Sequence, residues 1–131
     1  MSVDYPKIGV LVVEDDSFTR ALIRRMLNQI GVISVTEAAD GDNGYREVLR
    51  VRPHVVFCDV DMQPTGGRAF LTKVRESAMT DVARTPVVFL TADAQRDTVL
   101  FAKAHQVSGY LVKPVSINDL KTRIDTALGA R

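Results

Sequence analysis

The feature that most constrains the fold is an alternation of short apolar runs with segments of helical periodicity. Three of the runs are almost continuously apolar and rich in valine, which is typical of parallel strands covered on both faces. Five runs are predicted as strands: residues 8–13, 33–38, 54–58, 86–91 and 109–113. A strand followed each time by a helix predicts an α/β layer fold with a parallel sheet.

The first helical segment is predicted to bury an apolar stripe. Its members recur at four-residue spacing, with two more widening the stripe: Phe18, Leu22, Met26 and Ile30, then Ile23 and Leu27. Asp16 or Ser17 can cap this helix, and Gly31 can end it.

The remaining helices are predicted over residues 42–51, 67–77 and 95–106, and after Ser116. Asp40-Gly41 is interpreted as a turn. Ser116 and the acid three places later, Asp119, resemble a capping box.

The bulk composition predicts one domain and no special compartment. The chain has 131 residues, which we interpret as a single domain over 1–131 with its core at about 6–128. A net charge of +1 gives no reason to expect DNA binding or a membrane surface. One cysteine, Cys58, excludes an internal disulfide, and neither a signal peptide nor a bilayer-length apolar run is seen. We therefore expect a cytoplasmic protein without membrane insertion.

Polar side chains follow four of the five predicted strands. In chain order they are Glu14, Asp15 and Asp16, then Asp59 and Asp61, then Thr91, then Lys113. In a doubly wound sheet of strand order 2-1-3-4-5, the carboxyl ends of the first and third strands meet at the switch point. Clustered carboxylates repel one another, and Mg²⁺ removes that conflict because it prefers oxygen ligands. A carboxylate beside Mg²⁺, a lysine and a hydroxyl group favours phosphoryl transfer.

The motifs "VLVVEDD", "VVFCDVDM", "FLTA" and "GYLVKP" resemble those of the receiver domains of two-component response regulators. The resemblance covers nearly the whole chain and implies a (βα)5 flavodoxin-like doubly wound parallel sheet of order 2-1-3-4-5. It also implies a phosphoprotein of phosphorelay signal transduction that needs Mg²⁺.

The resemblance implies a role for each acid. Asp59 corresponds to the phosphoacceptor, and Lys113 to the lysine that contacts the phosphoryl group. Asp15 would bind Mg²⁺ directly, Glu14 would act through water, and Asp61 would offer its backbone carbonyl. The Lys113–Pro114 peptide bond is expected to be cis.

Further residues correspond to the family's switch and tuning positions. Thr91 resembles the switch hydroxyl and Tyr110 the switch aromatic. Asp61, Ala92 and Asp93 occupy positions that tune how long the acyl phosphate survives.

The sequence departs from the family pattern in two places. Many receivers read D-x-x-M-P from the phosphoacceptor, whereas here Gln63 follows Met62 and the proline, Pro64, comes one place late. Gln106 stands where many have a glycine that ends the fourth helix. If Gln106 is left-handed, the conformation costs roughly 1–2 kcal/mol relative to glycine.

We therefore expect a signalling module, not an enzyme with a separate substrate. A histidine kinase or histidine phosphotransfer protein would phosphorylate Asp59, and the chain would catalyse only its own phosphorylation and dephosphorylation. The protein-binding face would be formed by helix 4, strand 5 and helix 5, and would include Lys103, His105, Tyr110 and Lys121. No output domain is expected, although a fragment of a longer regulator would look the same.

Three alternatives are less consistent with the sequence. A haloacid-dehalogenase-type phosphatase would place its D-x-D-x-T motif after the first strand, whereas "DVDM" follows the third and Gln63 replaces the threonine. A pseudo-receiver would lack an acid, the threonine or the lysine. A flavodoxin would have a phosphate-binding loop rich in Ser, Thr and Gly after the first strand.

Overall fold

Five parallel strands form one sheet in the computed structural model, which describes residues 2–92, 99, 101 and 103–129. The order is β2-β1-β3-β4-β5, as predicted. The strands are β1 (Gly9–Val13), β2 (Ser34–Ala38), β3 (Val55–Asp59), β4 (Val87–Thr91) and β5 (Gly109–Val112). Each boundary lies within one residue of its predicted position, which confirms the α/β fold.

Helices connect the strands on both faces of the sheet. They are α1 (Ser17–Ile30), α2 (Gly41–Val51), α3 (Gly67–Arg75), a turn at Thr80–Ala83 and the C-terminal helix (Ile117–Leu128), after a 3₁₀ turn at Tyr5–Lys7. Residues 99, 101, 103 and 104 are also helical, within the predicted fourth helix, whose residues 95–98, 100 and 102 lie outside the described part. Among the described helices, none combines the length and hydropathy needed to cross a membrane.

Successive residues of the three central strands β1, β3 and β4 pack into two separate cores, which explains why these strands are apolar along nearly their whole length. Leu11, Val56 and Phe89 belong to the core under α2 and α3, whereas their neighbours Val12 and Phe57 belong to the core under α1 and the C-terminal helix. Side chains alternate between the faces of a strand, so a sheet covered on both faces needs apolar residues at every position.

The buried face of α1 differs from the predicted stripe. Ile23 and Leu27 are buried, but Phe18 is 76% exposed and Leu22 39% exposed. An α-helix has about 3.6 residues per turn, so residues spaced by four wind gradually around it. The N-terminal members of the stripe therefore leave the face that Ile23 and Leu27 bury.

Local caps account for the helix ends. Asp16 accepts a hydrogen bond from Thr19 N at 3.0 Å at the start of α1, and Gly31 ends it with φ 119°. The capping box of Ser116 and Asp119 is confirmed, with both bonds at 3.0 Å.

The interpretation of Asp40-Gly41 as a turn is wrong. Asp40 is the N-cap of α2, where its Oδ1 accepts from Asn43 N at 2.9 Å, and Gly41 is the first helical residue. An aspartate accepts amide hydrogens equally well in a turn and at a helix N-cap, so this dipeptide fits both structures.

Arg75 ties three segments together at the end of the sheet opposite the carboxyl ends of the strands. Its guanidinium donates to the backbone carbonyls of Ala83 at 3.1 Å, Thr85 at 2.7 Å, His105 at 3.0 Å and Gln106 at 3.0 Å. Burial lowers the pKa of Arg75. The bonds join the end of α3 to the segment before β4 and to the turn at residues 105–106.

Gln106 is left-handed, with φ 56°, while its carbonyl is held by Arg75. Gln106→Gly should raise the free energy of unfolding by about 1 kcal/mol, because glycine adopts this conformation without the Cβ clash. The larger conformational entropy of glycine in the unfolded chain offsets part of this stabilisation. Urea denaturation followed by circular dichroism measures the difference.

Gln106→Ala is the matched control, since it keeps Cβ and removes only the end of an exposed side chain. Its stability should stay within about 0.5 kcal/mol of wild type. A glycine variant no more stable than the alanine variant would contradict the idea of strain at this position.

Candidate metal centre

The register of the sheet brings the acids after β1 and β3 together. Val13 pairs with Cys58, so the residues that follow each, Glu14 and Asp59, lie at the same level on adjacent strands. Carboxylate oxygens of Glu14, Asp15 and Asp59 all lie within 4.8 Å of one another. Glu14 and Asp59 are buried and Asp15 is exposed, so the cluster opens to solvent on one side.

Lys113 is the cation of this cluster. Its Nζ lies 2.7 Å from Glu14 Oε1 and 3.2 Å from Asp59 Oδ1, with about a quarter of the side chain exposed. The backbone nitrogen of Lys113 donates to the carbonyl of Thr91 at 2.7 Å, which fixes its position beyond β5. The Lys113–Pro114 bond is cis, as expected, and Gln63–Pro64 is also cis.

The buried carboxylate of Glu14 is only partly compensated. Burial raises its pKa and the charge of Asp59 adds to this effect, whereas Lys113 and the Asp16 amide act in the opposite direction. Burial also lowers the pKa of Lys113, but the hydrogen bond to Glu14 and the charges of Asp59 and Glu14 outweigh it, so the net change is upward. When ionised, three carboxylates beside one ammonium leave an excess of negative charge.

The donor set fits a magnesium ion. The three possible ligands, Glu14, Asp15 and Asp59, are all carboxylates, and Mg²⁺ takes oxygen ligands while keeping several of its waters. Two buried acids would hold the ion against the sheet, while the exposed side at Asp15 leaves room for water.

The other predicted site residues differ in their position in the fold and in their burial. Thr91 ends β4 and is buried, and Tyr110 on β5 is 36% exposed. Ala92 and Asp61 are exposed, and the Asp61 carboxylate is not among the clustered acids of the described chain. Asp93 lies outside the described residues.

Two residues support the site, and of these Arg20 was not identified from the sequence. Arg20 on α1 donates from Nη1 to the carbonyl of Glu14 at 2.7 Å and from Nε to Glu37 at 3.0 Å, so it holds the backbone of the acidic segment. Gly67 lies against Asp59, where a Cβ would approach the Asp59 carbonyl to 2.5 Å. The spacing of Gly67 from the acid is visible in the sequence, whereas no local pattern indicates the partners of Arg20.

The chain is similar in sequence and in fold to known proteins. The profile of the family described as the response regulator receiver domain matches residues 10–125. The chain is 33% identical over 126 residues to a probable chemotaxis protein CheY of Rhizobium etli, covering 95% of each. It is 36% identical over 119 residues to the transcriptional regulatory protein PdtaR of Mycobacterium tuberculosis, covering 91% of this chain and 56% of that protein. The structure of the chemotaxis protein CheY4 of Vibrio cholerae matches with a TM-score of 0.84 and 28% identity, over 92% of this chain and 98% of that one.

Glu14→Gln should stabilise the metal-free protein at neutral pH by roughly 1 kcal/mol, because it removes one of two adjacent buried charges and keeps an acceptor for the Asp16 amide. A carboxyl group whose pKa rises on folding adds stability at low pH and loses that contribution as the pH rises through its folded pKa. The stability gained by Glu14→Gln should therefore vanish below pH 4.5, the ordinary pKa of a glutamate, and be complete above the raised pKa of Glu14 in the folded protein.

Urea denaturation with EDTA between pH 4 and pH 7.5 tests this expectation. Glu47→Gln is the control, because the hydrogen bond from Arg50 lowers the pKa of Glu47 and its neutralisation should give no gain. A stability difference between wild type and Glu14→Gln that does not depend on pH would contradict the proposed cause.

Proposed function

Because the chain belongs to the response regulator receiver domain family, we propose that it accepts a phosphoryl group on Asp59 and passes the signal to a partner protein. The observation that carries the proposal is a buried Asp59 carboxylate clustered with Glu14 and Asp15, with Lys113 Nζ 3.2 Å away. A nucleophile, an oxygen donor set and a cation are thus present at one edge of the sheet.

In the proposed reaction, an oxygen of Asp59 attacks phosphorus as the bond between phosphorus and the donor breaks, which forms an acyl phosphate. Lys113 turns from the carboxylate to an oxygen of the transferred group, so its charge is used both before and after transfer. Glu14, Asp15 and Asp59, with the Asp61 carbonyl, would hold Mg²⁺, which offsets negative charge on the phosphoryl oxygens.

We assign the phosphodonor to a histidine kinase or a histidine phosphotransfer protein acting in the cytoplasm. The chain would catalyse only this transfer and the later hydrolysis of its own acyl phosphate. Ala92 is small and exposed beside Thr91, which supports access of water, and Asp61 and Asp93 would tune that access.

The signal would leave through the switch residues Thr91 and Tyr110. Thr91 would move its hydroxyl group toward the new phosphoryl group, and Tyr110 would respond on the next strand. Val112, two residues after Tyr110 on β5, is 45% exposed, and Ile117 at the start of the C-terminal helix is 39% exposed, which supports a protein partner for these elements. Lys103, His105 and Lys121 would contribute to its polar part.

The phosphatase alternative is less well supported. That family places its motif after the first strand, whereas Asp59 ends β3.

Acetyl phosphate with Mg²⁺ should add one phosphoryl group to the wild-type chain, and Asp59→Asn should abolish the mass increase because it removes the nucleophile. Asp61→Asn is the control, since it alters the neighbouring acid and keeps the backbone carbonyl. Intact-protein mass spectrometry, with EDTA in a parallel reaction, measures both.

Labelling that survives in Asp59→Asn, or that needs no metal, would contradict the proposal. Repeated turnover of a small phosphate ester would instead favour the phosphatase.

A further inference from the structure

The loop that follows Asp59 is held at both ends by the backbone. Val60 N donates to Leu90 O at 2.9 Å, which extends the sheet by one residue, and Gly67 N donates to Val60 O at 2.9 Å where α3 begins. Between these bonds the loop has no helix or strand of its own. It contains Asp61, so its path decides where the Asp61 carbonyl lies.

A second set of contacts ties the middle of this loop to the start of α2. Thr65 O accepts from Gly41 N at 2.9 Å, and Thr65 Oγ1 donates to Asp42 Oδ2 at 2.8 Å. The other carboxylate oxygen of Asp42, Oδ1, accepts from Lys73 Nζ of α3 at 3.1 Å. Both oxygens of Asp42 are therefore engaged, one by the loop and one by a helix.

The loop and α2 approach so closely that a side chain at residue 41 has no room. A Cβ on Gly41 would lie 2.8 Å from Thr65 Cγ2 and 3.0 Å from Gly66 O. Glycine is needed here because of this approach, which indicates that the loop is seated on α2 along its backbone as well as through the Thr65 hydroxyl group.

The two bonds of Asp42 differ in what they secure. The pKa of Asp42 is lowered, first by the hydrogen bond from Thr65 and next by that from Lys73, so the group is charged at neutral pH. Its place in the first turn of α2 also favours a negative charge. Both bonds are exposed, but they join different parts of the chain. The ion pair with Lys73 joins two helices and is worth little, whereas the charge-assisted bond from Thr65 holds a loop.

We propose that Asp42 and Thr65 are positioning residues for the metal centre, because their hydrogen bond holds the loop in the path that presents the Asp61 carbonyl to Mg²⁺. The role rests on the proposed function, in which that carbonyl is a ligand. Loss of this side-chain bond would leave the Gly41 N to Thr65 O bond to hold the loop against α2, and the loosened loop would bind Mg²⁺ more weakly, while the three backbone bonds keep the fold intact.

The test is a titration of the ¹⁵N-labelled full chain with MgCl₂, followed by the amide resonances of residues 59–67. Thr65→Val removes the hydroxyl group at nearly constant shape and should raise the apparent dissociation constant of Mg²⁺ roughly three- to tenfold, as expected for one hydrogen bond. Thr65→Ser keeps the donor and should stay within about twofold of wild type. Lys73→Met removes the exposed ion pair together with the contact of the ammonium group with the Tyr45 ring, and should also stay within about twofold.

Asp42→Ala removes the acceptor of the same hydrogen bond, so the proposal can still be tested if one of the two variants folds poorly. It should give the same shift as Thr65→Val, and the double variant should be no weaker than either single variant, because both remove one interaction. If the bond served stability alone, Thr65→Val would lower the thermal midpoint of unfolding without changing the affinity for Mg²⁺.

The outcomes separate the two proposals. If the wild-type chain binds Mg²⁺ and both Thr65→Val and Asp42→Ala bind it with the same affinity, the positioning role is overturned and the proposed function is not. Fully additive losses in the double variant overturn it as well. A wild-type chain that binds no Mg²⁺ overturns the proposed function, and the positioning role with it.

Discussion

Two buried carboxylates, Glu14 and Asp59, share the single ammonium of Lys113, and the surrounding structure has to keep this arrangement in place. Like charges side by side in a buried site oppose folding unless cations or hydrogen bonds compensate them. The three groups follow three different strands, so only the register of the sheet brings them together. Rigid apolar strands are therefore a condition for the charged site at their ends.

The same constraint explains why much of the fold and site could be predicted from the sequence. Strands covered on both faces must be apolar at every position, which makes runs such as residues 54–58 visible. The acid that ends such a run can lie only at the carboxyl edge of the sheet, so Asp59 and Glu14 are placed by the strands before them. Chemistry and position are thus encoded in the same short segments.

Features that depend on packing between distant segments could not be predicted in this way. The periodicity of α1 marks it as amphipathic, but which part of the stripe is buried depends on the crossing of the helix over the sheet, and Phe18 and Leu22 are left exposed. Thr65 and Asp42 are 23 residues apart, and both are ordinary polar residues of loop and helix when read alone. Sequence patterns report neighbours along the chain, whereas these contacts join elements that meet only after folding.

The bonds of Arg75 have a consequence for how the molecule responds to its solution. All four acceptors are backbone carbonyls without formal charge, so dissolved ions have no opposing charge to screen at this junction. The link between Asp42 and Lys73, by contrast, is an exposed ion pair that salt weakens. The contacts of Arg75 at the end of the sheet away from the carboxylates thus depend less on ionic strength than the exposed ion pair between α2 and α3 does.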